Sequence, residues 1–212
     1  MYSLYYSPGA ASLAVHWMLI QIGAAHELVL IDTKAMAQKS PAYLALNPDG
    51  RVPTLIVDGA PVRECAALAM LLAERHPEAG LAPPPGDPLR PAYLQEMVAL
   101  ANTLLPAFRA WFYADEPAGP EAAAAVQAVS RAQIEAVWDR FDAQLADGRA
   151  HLLGERLSAV DFLATMLMRW SRNMPRPAAR WPHIDRYLAT MRALPSLREV
   201  HAREGLSDWI DD

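Results

Sequence analysis

Two stretches of the chain place hydrogen-bonding or reactive side chains at what read as helix starts. Ser12 opens an apolar run just after the breaker Ser7-Pro8-Gly9, and Cys65 follows Arg63-Glu64 at the head of another. A helix N-terminus offers unpaired N–H groups and positive potential, which favour anions and thiolates. Ser12 therefore has two readings: it caps its helix, or its hydroxyl donates to a charged group held there. Tyr6, closing the aromatic run Tyr2–Tyr6, is a second hydroxyl donor or a packing residue. Cys65 is the one cysteine. It reads as a neutral structural thiol, or as a thiolate favoured by the helix start.

A single cysteine excludes an internal disulfide framework and the two-thiol CxxC chemistry. The six histidines (16, 26, 76, 151, 183, 201) show no i, i+4 pairing and no cysteine cluster, so no metal site is expected. A net charge of −5 with no basic block argues against nucleic acid. The apolar runs, such as 163–168, fall far short of the roughly 20 residues that span a bilayer. The start, MYSLYYSPGAAS, has no signal-peptide pattern. A cytoplasmic protein that neither enters nor binds membrane is the expectation.

The elements that must position these residues alternate over the first eighty positions. Tyr2–Tyr6 and His26–Ile31 read as strands, and the run from Ser12 to Gly23 as a helix. Ser40-Pro41 opens a short helix as N-cap and first helical position. Val52–Val57 and Ala60–Glu64 flank Asp58-Gly59, a hairpin signal because both turn positions need positive φ. A helix follows from Cys65 to Arg75. The order β-α-β-α-β-β-α implies a mixed sheet with helices packed on it. Residues 77–91 are rich in proline and glycine and read as a linker. Beyond it, 91–105, 120–145, 158–173 and 183–194 carry helical spacing.

The runs LYYSPGAASLAVH (4–16), SPAYLALNPDGRVPTL (40–55), Arg63-Glu64-Cys65, LSAVDF (157–162) and WPHIDRYLATMRALPSL (181–197) resemble, in order and spacing, those of bacterial, beta-like glutathione transferases. The resemblance covers essentially the whole chain. It implies a thioredoxin-like glutathione-binding domain over 1–78, a linker at 79–90, and an all-α domain over 91–212 with a second-substrate site. It also implies a homodimer in which glutathione is co-substrate and a small hydrophobic electrophile is the partner. A glutathione-transferase-fold binding or regulatory protein with little turnover is the alternative.

Site residues follow from the same resemblance. Val52-Pro53 matches the cis-proline corner whose preceding backbone pairs with the cysteinyl part of glutathione, as an added strand would. Glu64 and Cys65 stand at the helix tip that takes the γ-glutamyl carboxylate. Serine is usual where Cys65 stands, and a weak S–H replaces a good donor there. Lys34 reaches the glycyl carboxylate or is a solvated surface lysine, and Arg51 and Arg63 add positive potential or are surface charges. Ser12 and Tyr6 are the candidate partners of the glutathione sulfur. Relatives often carry a cysteine where Ala11 stands, which disfavours mixed-disulfide or reductase chemistry. Leu104-Leu105-Pro106 lacks the histidine some relatives place there. Arg109, Trp111, Phe112, Tyr113, Met166 and Trp170 are assigned to the second-substrate site or to packing, and mid-helix His16 to packing. Ser158 and Asp161 match a helix-capping box with a folding role.

Such a site has a definite task. A free thiol with pKa near 8.5 is only about 3% ionised at pH 7, and lowering that pKa by two units needs roughly 2.7 kcal/mol. A helix tip plus one hydroxyl donor can supply it.

Overall fold

A computed structural model describes residues 1–211. Two compact units result: Met1–Ala82 together with the chain from Arg192 onward, and Pro83–Met191. The strands are β1 (Tyr2–Tyr6), β2 (His26–Leu30), β3 (Thr54–Val57) and β4 (Ala60–Arg63). The first helices are α1 (Ser12–Gln21), α2 (Pro41–Leu44) and α3 (Cys65–Arg75). Then come α4 (Arg90–Ala99), α5 (Leu105–Phe112), α6 (Ala123–Leu145), α7 (Ala159–Trp170), α8 (Pro182–Arg192) and α9 (Pro195–Glu204).

In the first unit the sheet order is β2-β1-β3-β4, with β1 parallel to β2 and antiparallel to β3. Parallel neighbours need a crossover, and α1 is that crossover. The β3–β4 hairpin turns on Asp58 and Gly59, whose φ values of 52° and 82° are the positive pair expected. Helix α1 is buried from Ser12 to Leu19 and packs against α3 and α9. Helix α3 buries Cys65, Leu68, Ala69 and Leu72, one face at i, i+3, i+4, i+7.

The second unit is helical. Tyr93, Met97, Phe108, Trp138, Phe141 and Phe162 are fully buried in it. Asp161 anchors the start of α7, where it accepts from the Ser158 N–H at 2.8 Å and the Ser158 hydroxyl at 3.0 Å.

Two stretches differ from the sequence expectation. The helix does not stop at Leu105. It passes through a π turn over Leu100–Leu104 and continues as α5 to Phe112. Pro106 lacks the N–H that would bond four residues back, and widening the preceding turn lets the chain stay helical. Secondly, a short final helix, α9, follows α8. Pro195 starts it and Gly205 ends it with φ 66°. Its Leu197, Val200, His201 and Glu204 form the buried stripe. Trp17 Nε1 donates to Ser196 Oγ at 2.8 Å, and Ser196 Oγ donates to Gln21 Oε1 at 2.5 Å, which pins the start of α9 to α1.

Candidate functional site

Strand register gathers the predicted residues of the first unit at one end of its sheet. Thr54, at the start of β3, pairs with both Tyr5 near the end of β1 and Arg63 at the end of β4. The Val52-Pro53 corner, Tyr6 and Glu64 therefore lie at the same edge, and α1 and α3 both begin there. The Cys65 thiol reaches the Ala11 carbonyl at 3.0 Å, so the heads of the two helices touch.

The loop from Ser7 to Ala11 feeds α1. Ala11, not Ser12, is the N-cap, and no side chain caps it. The Ser12 hydroxyl is fully buried; it donates to the Ser7 carbonyl at 3.1 Å and accepts from the Ser7 N–H at 3.2 Å. Ser12 thus closes the loop across its own neck, and its proton is committed to Ser7. The Ser7 and Thr33 hydroxyls meet at 3.0 Å. The Gly9 N–H donates to Glu204 Oε2 at 2.8 Å, and Glu204 Oε1 lies 2.8 Å from His16 Nδ1. His16 is buried, as a packing residue would be, but it also carries this polar contact. The Tyr6 ring lies 6.0 Å from the His16 ring. Burial, then the charge of Glu204, pushes the Tyr6 hydroxyl above its ordinary pKa, so it stays a proton donor.

Glu64 has φ 71° and ψ 108°, a conformation rare for any residue but glycine. Such strain costs on the order of 1–3 kcal/mol and persists where the surroundings impose it, often at ligand sites. The next residue, Cys65, is buried, and burial, with Glu64 second, pushes its thiol up to about 12. Relative to a thiol at 9.0, about a thousandth as much thiolate is present at pH 8. The reactive reading of Cys65 is not supported by this environment; its N–H and helix dipole remain. In a thiol titration with an aromatic disulfide at that pH, native Cys65 is expected to react at least a hundredfold more slowly than in denaturant. Equal rates would show that the thiol is exposed.

The Val52-Pro53 bond is cis. Sequence reasoning missed what holds the corner. The Arg51 carbonyl accepts from Tyr43 Oη at 2.7 Å and from Asn47 Nδ2 at 2.8 Å, and both also reach Thr54 Oγ1, at 2.9 and 3.2 Å. The signal was there in Tyr43, Asn47 and Thr54, three uncharged polar residues flanking a proline corner. Gly50, with φ +59°, leaves no room, since a Cβ there would lie 2.9 Å from the Gln38 carbonyl. The side chains of Lys34 and Arg51 are exposed, and Arg63 pairs with Asp49 at 3.5 Å. Asp32 Oδ1 accepts from the N–H groups of Lys34 and Ala35, each at 3.0 Å, which shapes the turn carrying Lys34.

The residues assigned to the second substrate fall in the second unit, in two groups. The Arg109 guanidinium lies 4.5 Å over the Tyr113 ring and pairs with Glu116 at 2.5 Å. Phe112 and Trp170 meet edge to face at 6.0 Å, and both contact Phe108. Phe112 and Tyr113 are about half exposed, at 51% and 50%, whereas Met166 is buried in the core.

Comparison with known proteins bears on this geometry. Residues 1–74 match the family description "Glutathione S-transferase, N-terminal domain" and residues 88–195 match "Glutathione S-transferase, C-terminal domain". The chain belongs to the glutathione S-transferase family. It is 30% identical to a glutathione S-transferase of Xanthomonas campestris pv. campestris, over 96% of this chain and 99% of that one. A sphingomonad glutathione S-transferase solved in complex with glutathione superposes with TM-score 0.83 at 31% identity, over 97% of this chain and all of that one. A beta-class enzyme of Sphingomonas chungbukensis does so with TM-score 0.84 at 27% identity, over 97% and 100%. In this glutathione S-transferase the expected thioredoxin-like mixed sheet and helical region are both present. Among the described residues no cluster of three or more His, Cys, Asp or Glu could hold a metal, and no helix is long and apolar enough to cross a membrane.

Proposed function

We propose that this glutathione transferase grips glutathione at the shared edge of β1, β3 and β4 and transfers its sulfur to a small hydrophobic electrophile. The observation that carries this reading is the meeting of the α1 and α3 N-termini with the Val52-Pro53 corner at one sheet end. The Val52 backbone pairs with the cysteinyl part of the peptide. The N–H groups after Glu64 take the γ-glutamyl carboxylate, with Cys65 contributing main chain only. Lys34, which is exposed, reaches the glycyl carboxylate, and the exposed Arg51 adds positive potential.

The sulfur rests at the tip of α1. Its neutral side-chain donor is the Tyr6 hydroxyl, while Ser12, occupied by Ser7, shapes the loop that presents the amides. Arg109, Phe112, Tyr113 and Trp170 supply the aromatic and cationic surface for the second substrate. A cytoplasmic homodimer, with a role in detoxification, completes the reading.

Tyr6→Phe is expected to lower kcat ten- to hundredfold with little change in fold, the worth of one hydrogen bond to a charged group (about 1.5–3 kcal/mol). The decisive measurement is a glutathione titration followed by turnover of a chloronitrobenzene. Millimolar or tighter binding with turnover supports the reading, and no binding at millimolar glutathione overturns it. The commitment of the Ser12 proton to Ser7 favours a second reading, a binding protein with little turnover. Its signature is saturable glutathione binding without product.

A further inference from the structure

A second constellation stands at the end of β1 away from the proposed glutathione edge. The strand runs from Tyr2 to Tyr6, and its rise of about 3.3 Å per residue sets the two roughly 13 Å apart. Helix α3 starts at Cys65 near the Tyr6 end and finishes at Arg75, which brings its C-cap, His76, beside Tyr2. Pro77 stops the helix, and the 3₁₀ turn Pro77–Ala79 folds Glu78 back to the His76 ring. The three side chains form a hydrogen-bonded row. Tyr2 Oη lies 3.0 Å from His76 Nε2, and His76 Nδ1 lies 3.2 Å from Glu78 Oε1. A carboxylate only accepts, so Nδ1 carries the ring proton and Nε2 is the acceptor that faces the phenol O–H. Arg75 joins them: its guanidinium pairs with Asp58 at 2.6 Å, and a negative charge on Tyr2 would further favour it. A tyrosine that merely tied β1 to α3 would need any one acceptor. Here the acceptor is the side chain suited to proton transfer near neutral pH, and a carboxylate fixes its tautomer.

We propose that Tyr2 is an activated phenol that accepts acyl groups from activated aryl esters, with His76 as its general base and Glu78 orienting that base. Nucleophile, base and orienter stand in the order that nucleophilic catalysis requires, each pair within hydrogen-bond reach. The step balances without a further reactant. Tyr2 Oη attacks the ester carbonyl as its proton passes to His76 Nε2. The Oη–acyl bond forms, the bond to the aryl oxygen breaks, and the departing phenoxide takes the proton back from His76. An O-acyl tyrosine and a free phenol result. Arg75 supplies positive charge beside the phenol oxygen as it loses its proton. Tyr2 is only partly buried, which admits a small ester. None of these four residues serves the glutathione reading, so the two stand or fall separately.

The full chain is treated with p-nitrophenyl acetate, and acetylation is followed residue by residue by peptide mass spectrometry, with fragment ions that separate Tyr2 from the Met1 amine. Tyr113 is the internal control: it is more exposed than Tyr2 and faces the Arg109 guanidinium, not a base. General-base help is worth about 10²–10⁴-fold, so even with its lower exposure Tyr2 is expected to acetylate at least about tenfold faster than Tyr113 at about pH 7.5. Its rate levels off near neutral pH, as a histidine base dictates, whereas an unassisted phenol gains about tenfold per pH unit up to about 10. His76→Gln can still bond to the phenol but takes no proton, and it brings Tyr2 down to the Tyr113 rate or below. Glu78→Gln slows Tyr2 by about three- to tenfold. Thermal midpoints report the fold of each variant. A Tyr2 rate no greater than that of Tyr113 overturns the proposal, as does an unchanged Tyr2 rate in either variant. If His76→Gln does not fold, Glu78→Gln decides, because that side chain is exposed and its loss leaves the packing intact.

Discussion

Replacing Asp161 by Asn is expected to destabilise the protein by about 1–3 kcal/mol, the cost of leaving a buried donor without its acceptor. Four donors converge on its two carboxylate oxygens. Oδ1 accepts from the Leu152 N–H at 2.9 Å and the Tyr187 hydroxyl at 3.1 Å, and Oδ2 accepts from the Ser158 N–H at 2.8 Å and its hydroxyl at 3.0 Å. The residue is fully buried, and burial raises its pKa, while the hydrogen bonds from Leu152 and Ser158 oppose that rise. Asparagine has nearly the same shape, yet one oxygen becomes an NH2 that faces donors. Whichever way the amide flips, one buried backbone N–H, of Leu152 or Ser158, loses its acceptor at a cost of about 1–3 kcal/mol, while the hydroxyl beside it can turn to accept from the NH2. Ser158→Ala removes only the cap hydroxyl and should cost about 0.5–2 kcal/mol. Urea unfolding at unchanged slope measures both. If the Asn variant loses less than the Ser158 variant, the carboxylate is not the hub of this network.

That hub shows where sequence reading succeeds and where it stops. The Ser158…Asp161 spacing announced a capping box, because both partners lie within one turn. Leu152 and Tyr187, which raise the stakes of Asp161, come from elsewhere in the chain, and no local pattern predicts them. The Asp58-Gly59 hairpin was legible for the same reason as the box: two adjacent residues tolerate the positive φ the turn demands. Pro106 shows the opposite case. Local rules end a helix before an interior proline, but the packing of Phe108 against Trp138 and Trp170 keeps the chain helical through a π turn. At the proposed sulfur site, residue types and helix starts were readable, and the direction of a hydroxyl was not. Ser12 faces Ser7 because the Ser7-Pro8-Gly9 loop folds back on α1, a tertiary fact. Glu204 lay in a stripe at 197, 200, 201 and 204 ended by Gly205, which is a helix signature; its reach to Gly9 needs the fold.

Asn47 carries the second large effect, because it holds the Val52-Pro53 corner proposed to bind glutathione. It is buried at 3% exposure, and its amide group has no spare polar atom. Nδ2 donates to the Arg51 carbonyl and Thr54 Oγ1, and Oδ1 accepts from the Asp49 N–H at 3.1 Å. Asn47→Ala leaves the Arg51 carbonyl with Tyr43 alone and strands the Asp49 N–H. The expected loss is about 2–3 kcal/mol of stability, together with a rise of about tenfold in KM for glutathione, since Val52 follows Arg51 directly and a misplaced backbone weakens every contact it makes. Asn47→Asp tests the donors separately: both oxygens accept, so the Asp49 N–H keeps its partner while the Arg51 carbonyl meets a carboxylate. It should therefore raise KM at least as much as Ala does. Because the proposed place of the sulfur is the tip of α1 and not this corner, kcat at saturating glutathione should change by less than about threefold in both variants. A kcat that collapses while KM stays constant would mean that the corner shapes the sulfur site and not the grip on the peptide.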